Sequence, residues 1–481
     1  MSTANRSSRS VSAPQGNARQ PSRANPAGRI DAAHDPMRGA PVKLVQRAIR
    51  GALIAVSILG FGGCGTHRTA VTTAPVARSE VADLTADLAE DDSADVTPYL
   101  GELGATSFTT PARGTTLGGP LHGLDAGQLA RFNEGRDEFM DEDDVDEGLG
   151  PVFNEASCVT CHNAPVGGTT GRVETRFGRA AAGGFDPMEL YGGSLLQDHA
   201  IGEIPAGAGL FTYAPEVVPA EANVRAGRIT TPLFGLGLVD AVPDATFLTL
   251  ARLEARHTPW ARGTANLVTE VSTGATRVGR FGWKAQVPTL HQFSGDAYLN
   301  EMGVTSPDFP NENCPQGDCS KLAFNPYPTL NNDGKAVDEF FDFMRLLGPP
   351  PRSDRSYFKQ SGERVFARIG CTDCHTPALV TGESPVAALS RKQFFPYSDF
   401  LLHDMGALGD GIAQGRAGPR EMRTAPLWGL GSRSLFLHDG RAKTVNDAIL
   451  AHGGQGTTAR ARYYRLNPMS RAALLTFLRS L

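Results

Sequence analysis

The pattern Cys-x-x-Cys-His occurs twice, as Cys158, Cys161 and His162 in "ASCVTCHNAP" and as Cys371, Cys374 and His375 in "IGCTDCHTP". No other feature restricts the fold as strongly. Two thiols three residues apart can reach the two vinyl groups of one porphyrin, and the next residue's imidazole then falls under the iron as proximal ligand. A structural zinc site needs four ligands per metal, whereas each motif supplies two sulfurs and one histidine, far from the other motif. A redox dithiol calls for a βαβ setting, and neither pair follows a strand-like run. The motifs therefore predict two covalently bound haem c groups, attached at Cys158, Cys161, Cys371 and Cys374 and ligated by His162 and His375.

Around each motif the apolar residues recur at helical spacing. Ahead of the second, Phe358, Val365, Phe366 and Ile369 share a face, and "PMSRAALLTFLRSL" closes the chain with Leu474, Phe477, Leu478 and Leu481. The first half repeats this order, with Leu129, Phe132 and Phe139 before Cys158, and with Val337, Phe340, Phe341, Met344 and Leu347 in "KAVDEFFDFMRLLGPPPR". Gly348 and Pro349 to Pro351 end that helix. The expectation is a mainly α protein of two cytochrome c-like domains with long irregular loops, residues 121–347 and 353–481, joined by a linker at 348–352. A shorter repeat, "TPLFGLG" and "APLWGLG", lies in each half and is expected to line the distal side of its haem, or to be a packing turn.

The first hundred residues read differently. Residues 1–36 are rich in Ser, Pro and Arg and poor in large apolar residues, which predicts a disordered region or one upstream of the true start at Met37. Residues 37–64 combine a basic stretch with the apolar run "ALIAVSILGFGG", too short to span a bilayer and of export-signal length. The run ends at Cys64 in the manner of a lipoprotein signal, the alternatives being plain cleavage nearby or an uncleaved anchor, so the expected location is periplasmic or cell-envelope, with membrane contact through a lipid anchor at Cys64. Residues 65–120 read as a flexible acidic tether. Cys314 and Cys319 suit a small disulfide in that oxidising compartment. The net charge of −5 provides no field for phosphate backbones, which excludes nucleic acid as a partner.

The two Cys-x-x-Cys-His motifs, "GLGPVFN", "TPLFGLGLVDAVPD", "GRFGWKA", "EMGVTSPDFP", "RLLGPPPR" and "TAPLWGLGSRSLFLHDGRA" together resemble the di-haem oxidoreductase family, also called thiol oxidoreductase, which is related to bacterial di-haem cytochrome c peroxidases. The resemblance runs from about Gly123 to the C-terminus. It implies two haems that exchange electrons, a redox partner protein, and a small oxidant such as peroxide or oxygen. In the peroxidases a distal methionine follows an "FHDG" run; here "FLHDGRAKTVNDAILAHGG" puts His452 at the matching place, with Met405, His403 and Met422 as competing ligands. The first half shows no such run after "PLFGLG", which implies an iron open on its distal side. Asp240 is a candidate general base there, or a helix cap. Trp283 would bridge the haems, or be a core aromatic. Peroxide reduction or oxygen activation at the first haem is the expected activity, and a pure electron carrier is the alternative.

Overall fold

The computed structural model describes residues 112–352 and 356–481. The readings of residues 1–36, of the signal 37–64 with Cys64, and of the tether up to residue 111 lie outside the described residues. The last stretch of the expected tether belongs to the fold: the Ala112 N–H donates to Gln393 O, and Gly119 O accepts from the Gly348 N–H.

Two helix pairs organise the chain. Asp125 and Gln128 form a capping box that starts the helix Ala126–Met140, whose Phe132, Gly135 and Phe139 face inward. This helix packs on Lys335–Leu346, which buries Val337, Phe340, Phe343 and Met344. Leu129, expected on the buried face, is 42% exposed, so the stripe runs through Gly135 instead. A methyl group on Gly135 would lie 2.0 Å from the Glu339 carbonyl oxygen, so only glycine permits this crossing. The second pair repeats the arrangement. Tyr357–Arg368, capped by Ser356, packs on Pro468–Leu478, capped by Asn467, and a methyl on Gly362 would lie 2.1 Å from Ala473 O. Val365, Phe366, Leu474, Phe477 and Leu478 fill that core, each large apolar side chain contributing about 1.5–3 kcal/mol.

The short repeat is seated equivalently in both halves. Gly237 lies against the carbonyl of Arg345, at the end of one helix pair, and Gly431 against that of Arg479, at the end of the other. Trp428, from the second copy, packs onto Gly235 of the first and enters the larger core, which also takes in Phe394, Phe400 and Leu401. That core therefore draws on residues from both sides of the 348–352 segment.

The expectation of a mainly α protein is not met. Helix accounts for 36% of the described residues and strand for 17%. The described strands form one three-stranded and five two-stranded antiparallel sheets. Val173–Ala181 pairs with Val224–Ile229 in the register Val173 opposite Ile229, across some fifty residues of sequence. The segments that read as irregular loops must satisfy their backbone hydrogen bonds where they are packed, and short ladders do this without long apolar runs. Cys314 and Cys319 are joined by a disulfide. Among the described residues no helix is long and apolar enough to cross a membrane.

Candidate functional site

Each Cys-x-x-Cys-His motif opens onto a cavity. The second, of about 230 Å³, is lined by Cys371, Cys374, His375 and His452; the first, of about 150 Å³, by Cys158, Cys161 and His162. Voids in a close-packed interior seldom exceed a water molecule, so both are built sites. The four cysteines form no disulfide, and burial pushes the Cys161 and Cys371 thiols up to about 12.

His375 and His452 face each other across the second cavity with ring centres 6.5 Å apart. A metal held by two imidazoles separates their ring centres by about 6 to 6.5 Å, because each metal–nitrogen bond is about 2 Å long. The Nδ1 of His375 donates to Tyr397 O and that of His452 to Ala448 O, each at 2.8 Å. A carbonyl can only accept, so both Nε2 lone pairs are left for a metal. Burial lowers His375 to about 4 and also lowers His452, which keeps both rings neutral, as ligands must be. These residues fit an axially ligated haem. His403 lines the same cavity, but its Nε2 bonds Asp399 at 3.0 Å and its Nδ1 lies 3.6 Å from the Cys374 sulfur. The Asp399 carboxylate holds that imidazole well above its usual range despite burial. Met405 and Met422 also line this cavity.

In the first cavity, burial lowers His162 to about 4. Its ring packs on Phe139 at 6.0 Å, as that of His375 packs on Phe366 at 6.2 Å. No other imidazole lines this cavity among the described residues; Glu174, Arg176, Asp296, Glu301 and Met302 do. Burial, reinforced by Glu174, raises Glu301 to about 8, and its carboxylate accepts from Asn154 at 2.8 Å. Burial raises Asp296 to about 6. Glu174 is held low, burial notwithstanding, by the Arg176 guanidinium at 3.0 Å.

The backbone explains why the cavities differ. Phe281 bridges to Val287 as Phe436 bridges to Ala442, and left-handed conformations follow in step, at Gly282 and Ala285 in one copy and at Leu437 and Gly440 in the other. Trp283 thereby corresponds to His438. Thr289 and Thr444 then cap equivalent helices, Leu290–Ala297 and Val445–Ala451. Eight residues after each cap stand Ala297 and His452, and both line their cavities. The counterpart of "FLHDG" is thus "FGWKA", not the "LVDAVPD" that follows the first short repeat.

Trp283 lines both cavities, with Ile229, Thr230, Thr231, Gly282 and Phe293, so these residues form a shared wall. Its indole N–H donates to Ile229 O at 2.9 Å, and its ring meets that of His438 edge-on at 6.2 Å. Next to it, Lys284 and Arg228 converge on Asp410, all three fully buried. Asp240 lines neither cavity; it is half-buried and accepts from the Leu290 N–H at 2.9 Å, at the start of a helix. Burial raises its carboxyl. The two copies of the short repeat do line cavities, the second through Thr424 to Leu427 and the first through Thr230 and Thr231. Sequence reasoning missed Glu174, Asp296 and Glu301, which come from three segments.

Residues 218–481 match the family model described as "Di-haem oxidoreductase, putative peroxidase". The match spans more than half of the chain, which belongs to this di-haem oxidoreductase family. No curated protein sequence matches. Among solved structures, the diheme peroxidase BthA of Burkholderia thailandensis is 15% identical, covering 79% of this chain and 95% of its own, with a TM-score of 0.34. A MauG-like protein associated with microbial copper homeostasis is 14% identical, covering 78% and 94%, with a TM-score of 0.33. Hydrazine synthase of Kuenenia stuttgartiensis is 13% identical, covering 79% and 98%, with a TM-score of 0.32.

Proposed function

We propose that this di-haem redox enzyme reduces peroxide in its first cavity with electrons received through its second. Each cavity would hold one haem c, bound by Cys158, Cys161 and His162 in the first and by Cys371, Cys374, His375 and His452 in the second. The observation that carries the reading is the exchange of His452 for Ala297 at equivalent places. One haem would be held by two histidines, His375 and His452, and the other by His162 alone, which would leave room in the first cavity for a small oxidant.

When bound, the haem would supply the peroxide-binding position and the electron store; the protein moves the proton between the oxygens, and the two protons consumed come from solvent. Glu301, raised to about 8 by burial, is poised near the operating pH, where a carboxylate both takes and returns a proton efficiently. As carboxylate it accepts the proton of the arriving peroxide and as acid it delivers it to the departing oxygen, so that peroxide, two electrons and two protons give two waters. Arg176 and Glu174 hold fixed, paired charge beside it. Trp283, in the shared wall, lies where an electron would cross. In line with the sequence reading, the protein works in the periplasm or cell envelope, anchored through Cys64.

A pure electron carrier is the competing reading, and it would need a second ligand in the first cavity; Met302 is the lining residue that offers one. Stopped-flow mixing of the reduced holoprotein with hydrogen peroxide separates the two. Rapid reoxidation with two electrons consumed per peroxide is expected, and reoxidation no faster than that of a closed bis-histidine cytochrome contradicts the enzyme reading.

A further inference from the structure

The second cavity reaches the surface beside a side chain that neither the fold nor the reading above uses. Trp260 sits on the short turn Pro259–Ala261, lines the second cavity, and is 51% exposed. Its indole N–H donates to the Asp373 carboxylate at 3.1 Å, and Asp373 is the residue before Cys374. One hydrogen bond and a few covalent bonds therefore join an exposed indole to a haem-attaching sulfur.

The rim around this indole is cationic. Arg262 follows it on the same turn and is exposed, and its carbonyl accepts from Gln455 at 2.8 Å, which ties the turn to the helix Thr457–Tyr464. That helix brings Arg460 and Arg462 to the same cavity, with the Arg462 guanidinium against Gly370 and the carbonyl of Ile369. Among the described residues none of these three guanidiniums forms an ion pair, and of the nearby carboxylates Asp373 is engaged by the indole and Asp404 by Arg420. Residues 441–481 as a whole hold seven basic side chains and one acidic, in a chain of net charge −5.

We infer that this rim docks an acidic redox protein, seated by Arg262, Arg460 and Arg462, and that Trp260 is the contact through which electrons pass to the second haem. An aromatic centre within a charged ring is what a short-lived electron-transfer encounter requires, since charge steers the approach and the aromatic makes the contact. The inference rests on the reading of the second cavity as the electron-accepting one.

The test is anaerobic stopped-flow reduction of the oxidised holoprotein by an acidic plant-type ferredoxin, with reduced methyl viologen, a small cation, as parallel reductant. With ferredoxin, the rate for the bis-histidine haem should fall about tenfold or more between 20 and 200 mM salt. The ratio of ferredoxin to viologen rates should fall about tenfold in an Arg262→Glu, Arg462→Glu double variant. In Trp260→Ala the saturating ferredoxin rate should fall while half-saturation and salt dependence persist, a split that loss of structure would not give. A ferredoxin rate indifferent to salt and to these variants would overturn the docking proposal alone. Failure of viologen to reduce a low-spin haem in the wild type would overturn the reading of the second cavity, and the docking proposal with it. Binding to phosphatidylglycerol vesicles that is lost in the double variant, with ferredoxin reduction unchanged, would assign the rim to a membrane surface instead and overturn the proposal.

Discussion

The two cavities stand on the same scaffold and differ in what reaches into them. Both rest on a glycine-crossed helix pair, both set a phenylalanine against the motif histidine, and both follow a phenylalanine-led turn into a threonine-capped helix. At the end of that helix the second cavity receives an imidazole and the first a methyl group. Beyond Ala297 the first cavity is walled by Glu301 and flanked by an acidic stretch, residues 134–147, with nine acidic side chains and one arginine. The basic C-terminal segment borders the second. Repetition fixed the geometry, and on the reading proposed above the side chain at one position would decide whether an iron is closed or open.

The largest expected effects come from exchanging that position. His452→Ala should convert the second haem from low to high spin, and Ala297→His should close the first haem and abolish peroxide turnover. Optical and EPR spectra of the two variants read both outcomes; an Ala297→His protein that still turns over would separate the open face from Ala297. Next, Glu301→Gln should lower peroxide turnover by about 10²- to 10⁴-fold with both haem spectra intact. In the wild type the carboxylate form is the proton acceptor, so turnover should rise as pH increases through about 8, and the variant should lose that limb. A pH profile of initial rates decides it.

Asp410→Asn bears on how the cavities are held side by side. It would leave Arg228 and Lys284 buried without their counter-charge, a loss of about 3–5 kcal/mol measurable by denaturant unfolding. These cations hold the Asp410 carboxyl below its usual range despite burial, so its contribution is present at neutral pH and is lost as pH falls through that lowered value. The smallest effect sharpens the likeness of the halves. Gly135→Ala and Gly362→Ala should each destabilise by about 1–3 kcal/mol, and by similar amounts, because the added methyl meets a helix carbonyl at nearly the same distance. A neutral result at one site would mean that the two crossings are not equivalent.

Much of the candidate site was legible in the sequence because its residues lie close together along the chain. Cys-x-x-Cys-His places two sulfurs and an imidazole within five residues, and the imidazole facing His375 is His452. The carboxylates of the first cavity were not legible, since Glu174 lies on a strand, Asp296 on a helix and Glu301 in the π-helical turn Tyr298–Met302. The signal was there in part: Glu174 and Arg176 alternate onto one strand face, and a spacing of five is in phase only in a π-helix. The sheets went unread because their strands are short, and hydrogen-bond need, not apolar alternation, pairs them. Asp240 was singled out for its closeness to the short repeat, yet chain proximity did not bring it to either cavity.

The account stands on the inequality of the two haems, and low-temperature EPR of the oxidised holoprotein tests it most directly. One low-spin bis-histidine signal and one high-spin ferric signal of equal weight are predicted. Two low-spin signals, with no high-spin component, would contradict it.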